Sequence, residues 1–185
     1  MWDGILRHYD REHRPRALQE LGWFAESTSL REAISRAALA TDWRGKRFEH
    51  QWRISPEALS QARACLLAAK STIRGCSTFE ELLATVTSEL DNLCGVREMY
   101  CYDTALRVGA YMRLFPERVY LHRGTRKGAR ALGLVVRKKQ ALDISELPVE
   151  LRNLPPHEIE DILCIYKGVF TRHQRLLTSS RVCKL

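Results

Sequence analysis

None of the six cysteines, at 65, 76, 94, 101, 164 and 183, pairs with another at CxxC spacing. A zinc site drawn from Cys94, Cys101 and His122 matches no common ligand set, so the cysteines read as core thiols, and neither metal nor cofactor is expected. No apolar run is long enough to cross a bilayer. The stretch from Met1 to Asp10 has no hydrophobic segment and no cleavage-site pattern, so no signal peptide is expected. Together these features point to a cytoplasmic protein with reduced, mostly buried thiols. GxxxxGK[ST] is absent, which leaves nucleotide hydrolysis without support. No internal repeat appears, and no set of segments alternates apolar and polar residues with a period of two, as half-buried strands would.

Positive charge is abundant. The 185 residues carry 30 Lys and Arg against 22 Asp and Glu, a formal net charge of +8. From Arg113 to Lys139 there are nine Lys and Arg and one carboxylate, Glu117, so this stretch alone carries +8. Clustered cations suit a polyanion, and DNA or RNA backbone phosphate is the expected partner. An acidic partner protein is a competing expectation. With 45% hydrophobic residues, the length suits one helical domain over residues 1–170. A basic, flexible tail is expected at 171–185.

The apolar spacing is helical almost throughout. Ser29 with Glu32 reads as a capping box opening a helix to about Ala40. Ser55-Pro56-Glu57 is a strong start signal. Behind it Leu59, Ala62, Leu66, Ala69 and Ile73 recur at helical spacing up to Gly75. Ser77 with Glu80 reads as a second box, followed by the stripe Phe79, Leu82, Leu83, Val86, Leu90 and Leu93. After Cys94-Gly95-Val96 another helix is expected from about Glu98 to Leu114, with Tyr102, Ala105, Leu106, Gly109 and Met112 on one side and Pro116 as its stop. Val119 to His122 reads as an extended connector. Thr125 is expected to cap a helix from Arg126 to about Leu134. Residues 138–153 read as loop with a helical turn near Ser145, and a last helix carries Ile159, Ile162, Leu163, Tyr166 and Phe170. The fold class is all-α, a single-domain bundle of six to eight helices.

The string Leu90-Asp91-Asn92-Leu93-Cys94-Gly95-Val96-Arg97-Glu98-Met99-Tyr100-Cys101 resembles a helix-hairpin-helix element, in which Leu-x-x-Leu-x-Gly-hydrophobic-Gly opens a second helix. Gly95 and Val96 match, Arg97 replaces the second glycine, and Cys101 stands where alanine is common. The resemblance implies that the amides around Gly95, Val96 and Arg97 hold a DNA phosphate at the helix start, where free N–H groups and the helix dipole favour an anion. Residues 77–135 resemble the corresponding part of helix-hairpin-helix DNA glycosylases. Met99 stands at the position of the nucleophilic Lys in the bifunctional members, and a thioether forms no Schiff base. Tyr120 stands at the position of the catalytic Asp. The resemblance therefore implies a binding shell, or chemistry through other residues.

Asp103 and His122 are the candidates for such chemistry. Each also has a plainer reading: Asp103 as an i,i+4 partner of Arg107, His122 as a hydrogen-bonding or capping residue. Arg123, Gly124, Thr125, Arg126, Lys127 and Arg130 form the strongest anion-site candidate, glycine allowing close approach, threonine offering a hydroxyl, and the rest charge. The loop from Asp42 to Arg53 mixes aromatics with cations. It reads either as a second nucleic-acid contact or as Trp43, Phe48 and Trp52 folded back onto the core.

Overall fold

The computed structural model describes residues 1–182, with side chains described to residue 174. The protein is all-α: ten helices and one small two-stranded ribbon run through the described residues. No described helix is long and apolar enough to cross a membrane. The chain forms two compact units, the central one from Pro15 to Pro116 and the terminal one from Met1–Arg14 together with Glu117 onward.

In chain order the helices are α1 (Trp2–Glu12), α2 (Arg14–Ala25), α3 (Leu30–Leu39), α4 (Pro56–Ala68), α5 (Lys70–Gly75), α6 (Phe79–Leu90) and α7 (Glu98–Met112). Then follow α8 (Arg123–Ala131), α9 (Pro156–Ile165) and α10 (Lys167–Val182). β1 (Val119–Tyr120) pairs antiparallel with β2 (Ala141–Leu142), Val119 opposite Leu142. The helix count exceeds six to eight partly because α4 and α5 are separated at Ala69 and because residues 2–25 form two helices. α10 also runs to Val182, through most of the stretch expected to be a flexible tail, whose positions 183–185 lie outside the described residues.

Side-chain caps start α3, α4 and α6 of the central unit. Ser29 Oγ accepts the Glu32 amide, but the Glu32 carboxylate reaches back to the amide and hydroxyl of Thr28, at 2.7 Å each, so the box is shared over two residues. Ser55 accepts from Ala58 ahead of α4. The cap of α6 is Thr78 with Glu81, one residue later than the Ser77–Glu80 reading. Ser77 also donates its amide and hydroxyl to Glu81, which explains why both registers look plausible in sequence. α6 packs on α7, and α3 on both α4 and α7. Helix α7 is therefore enclosed on most sides: Tyr100, Cys101, Tyr102, Thr104, Ala105, Arg107, Val108 and Ala110 are all buried. It ends at Met112 because Arg113 turns left-handed (φ +60°) and Leu114 N–H returns to Gly109 C=O; Pro116 lies beyond this stop.

In the terminal unit, α8 packs against α9 and α10. The core joins Ile5 and Tyr9 of α1 to Val119, Leu121, Leu142 and the expected α9–α10 stripe of Ile159, Ile162, Leu163, Tyr166 and Phe170. The close packing of α8 on α9 rests on two glycines one helical turn apart. A Cβ at Gly128 would collide with the Leu163 carbonyl, and one at Gly124 with the Cys164 sulfur. At exposed Gly4, within α1, a Cβ meets nothing.

Gly128→Ala should thus destabilise the protein by roughly 1–3 kcal/mol through overpacking against backbone. Gly4→Ala should stabilise it by about 0.5–1 kcal/mol through helix propensity. Urea unfolding of the two variants checks this, and equal effects would contradict the packing.

Candidate nucleic-acid interface

Helix α8 begins at Arg123 with His122 in the N-cap position. This is three residues earlier than the sequence reading placed it, and Thr125 lies inside the first turn instead of capping it. The shift decides which side chains face outward. Arg123, Lys127 and Arg130 are exposed and recur at i, i+4 and i+7, one stripe along the helix. The opposite side carries Gly124, Thr125, Gly128 and Ala129, of which only Gly124 is not fully buried. No acid occurs on the helix.

The other expected anion contacts on α8 have different employment. Gly124 makes room for Cys164 of α9, not for a phosphate. Thr125 is fully buried, and its hydroxyl donates to Glu160 Oε1 at 2.5 Å. The Arg126 guanidinium turns back to the carbonyls of Val136 and Leu121, at 2.8 Å each, fastening α8 to the segments before and after it. Beyond α8, Arg137 and Lys138 are exposed, whereas Lys139 pairs with Glu146 and Arg118 with Asp143.

His122 does not reach solvent. It is 4% exposed, and its Nε2 meets Glu160 Oε1, the oxygen that also receives the Thr125 hydroxyl. This joins histidine, threonine and glutamate, but the hydroxyl and the imidazole share one carboxylate oxygen inside the α8–α9 contact. An imidazole so enclosed is shielded from a macromolecular substrate, and the cluster pins the start of α8. His122 thus sits as a buried, hydrogen-bonded residue at the helix start.

A second polar cluster ties α1 to α9. Arg14 Nε donates to buried Glu158 and its Nη1 to Asp10, both at 3.1 Å, and Tyr9 donates to Asp161 at 3.2 Å. Burial raises the Glu158 carboxyl above its usual range, and Arg14 opposes that rise. Burial also pushes the His157 imidazole down to about 4, with the Arg14 charge adding to the effect.

The central unit holds the other expected residues. Gly95 (φ +86°) and Arg97 are exposed in the turn between α6 and α7, and Val96 is half-buried. Arg97 is the N-cap of α7, and no side chain caps that end. Asp103 lies on the first half of α7 but does not pair with Arg107. Its Oδ2 accepts from Gln51 Nε2 at 2.6 Å and lies 2.8 Å from His50 Nε2. Arg107 instead donates to Gln51 Oε1 and Glu20, at 3.0 Å each, with its guanidinium 3.9 Å from the centre of the Phe48 ring. His50, Asp103, Gln51, Arg107 and Glu20 thus form one continuous chain of hydrogen bonds.

Sequence reasoning missed His50 and Gln51, because their partners lie more than fifty residues away. The alternation of Phe48, His50 and Trp52 with polar or charged neighbours was the only available signal. Of the three aromatics expected to fold back together, Phe48 is buried, Trp43 half-buried and Trp52 exposed. Nor are the described cysteines mostly buried: Cys101 is, Cys65, Cys76 and Cys164 are half-buried, and Cys94 is exposed, while Cys183 lies outside the described residues. No protein-family description, curated protein or solved structure matches this chain.

The His157 environment has a consequence for stability. The unfolded chain takes up a proton near pH 6.5, which the folded protein resists until about 4. Stability should therefore fall as pH drops through that window. The decline should be shallower in His157→Gln, as measured by urea unfolding at stepped pH. An identical slope in the variant would show that the imidazole is not the source.

Proposed function

We propose that this protein binds nucleic acid, DNA in the first instance, through its backbone phosphates. The observation that carries the reading is the stripe of Arg123, Lys127 and Arg130, three exposed cations on a helix with no acid and with its other side pressed on α9. Exposed Arg137 and Lys138 follow the same helix and extend the run of positive charge. Solvated cations with no carboxylate on their own helix are free to displace the counterions of a polyanion. The turn at Gly95, Val96 and Arg97 adds a separate phosphate contact in the manner of a helix-hairpin-helix. Its support is an exposed glycine backbone and a helix start without a side-chain cap. A glycosylase-like core rests on the sequence resemblance alone.

Replacing Arg123, Lys127 and Arg130 together with alanine should weaken binding to all sequences alike. It should also lower the slope of log affinity against log salt by roughly 3 on duplex DNA. Fluorescence anisotropy across salt concentrations measures this, and an unchanged slope would remove the α8 stripe from the interface.

A second reading, an enzyme acting on nucleic acid, draws on the Asp103–His50 contact. A carboxylate 2.8 Å from the Nε2 of a partly exposed imidazole orients that ring and supports proton transfer. In this reading His50 moves the proton and Asp103 positions it. Incubation with DNA or RNA containing modified bases should then yield abasic sites or strand breaks. His50→Ala and Asp103→Asn should abolish turnover while leaving binding intact. Absence of product from the wild-type protein over a broad set of base modifications would dismiss this reading without touching the first.

A further inference from the structure

The loop between α3 and α4 is tightly built, and it holds one tryptophan outward. Thr41 bridges to Arg47, and Asp42 Oδ1 accepts the amides of Arg44 and Lys46, at 2.9 Å each, around Gly45 in a left-handed turn (φ +72°). Arg47 crosses to the Ile54 carbonyl at 2.7 Å, tying the two arms together. Phe48 is buried against the Arg107 guanidinium, and buried Gln51 is held by both Asp103 and Arg107. Ser55 then caps α4.

Trp52 sits between the Gln51 anchor and that cap, and it is 64% exposed. Trp2, Trp23 and Trp43 are all half-buried. An indole kept in water forgoes a large hydrophobic gain, and anchors on both sides keep this one from folding inward. Its surroundings are cationic: the Arg53 guanidinium lies 5.4 Å from the centre of its ring, and Arg44 and Lys46 are exposed on the other arm. The loop's carboxylates are Glu49 and Asp42, and Asp42 is buried and paired with Arg44.

We propose that Trp52 is a stacking platform for an unpaired base, with Arg53 and Lys46 holding the adjoining phosphates, so that the preferred ligand is single-stranded nucleic acid. The flat face of a base matches an exposed indole, and the charge around it matches phosphate. A duplex keeps its base faces stacked inside, so only an unpaired strand offers them. This inference rests on the nucleic-acid reading above and adds the strand state to it.

The test uses the full chain with a fluorescein-labelled oligothymidine and a labelled duplex of equal length. Trp52→Ala should weaken oligothymidine binding by roughly 5- to 150-fold and leave duplex binding unchanged. Trp52→Phe should retain most of the affinity, since a phenyl ring still stacks. Oligothymidine should quench tryptophan emission in the wild-type protein, and less so in Trp52→Phe. Unchanged thermal unfolding in both variants would exclude a folding defect. Wild-type affinity for oligothymidine in Trp52→Ala would overturn the inference. So would equal losses on the single strand and the duplex. In either case salt-dependent binding through α8 would still stand. Failure of the wild-type protein to bind either probe would overturn both readings.

Discussion

The outward face of α8 depends on what its inward face can tolerate. Gly124 and Gly128 let the helix lie so close to α9 that a single added carbon would strike the Leu163 carbonyl or the Cys164 sulfur. With that side committed, the helix has one rotation about its axis. Arg123, Lys127 and Arg130 must then point to water, whatever they bind there. Arg126, slightly off the stripe, is recruited to fasten the helix through two carbonyls. Thr125, His122 and Glu160 hold its start with a buried hydrogen-bond cluster, which rigidifies when its polar groups are satisfied. The cationic stripe is thus presented by a helix fixed at its start and along its packed side.

A comparable constraint operates in the central unit. Arg107 is almost fully buried, and a guanidinium in that position must find partners or destabilise the fold. It finds Glu20 from α2, Gln51 from the α3–α4 loop and the face of Phe48. Satisfying this charge organises the loop, because Gln51 and Phe48 supply two of its three partners. Trp52 and His50 are held in place as neighbours of those anchors. One buried cation in the core therefore determines what the surface loop displays.

Local chemistry was legible in the chain wherever a few consecutive residues decide the outcome. Ser55-Pro56-Glu57 starts α4 as its cap and proline require, and the positions from Leu59 to Ile73 chosen by helical spacing are all buried. The register slips came where two residues compete for one role. Ser77 and Thr78 both bond Glu81, and His122 and Thr125 both stand near the start of α8. In the second case a hydroxyl ordinarily favoured as a cap is drawn away by Glu160, thirty-five residues distant. Spacing along the chain carries no trace of that partner.

Composition and period alone determined that the protein is helical, that its positive charge gathers between Arg113 and Lys139, and where α3, α4, α7 and α9 begin. These properties depend on residues within a turn or two of each other. Only the tertiary structure decided which cations face water, that Asp103 meets His50 and Gln51 instead of Arg107, and that α1 packs with the C-terminal helices. Each of these turns on a contact between residues far apart in sequence, where the cost of leaving a buried charge or hydroxyl unpaired outweighs any local preference.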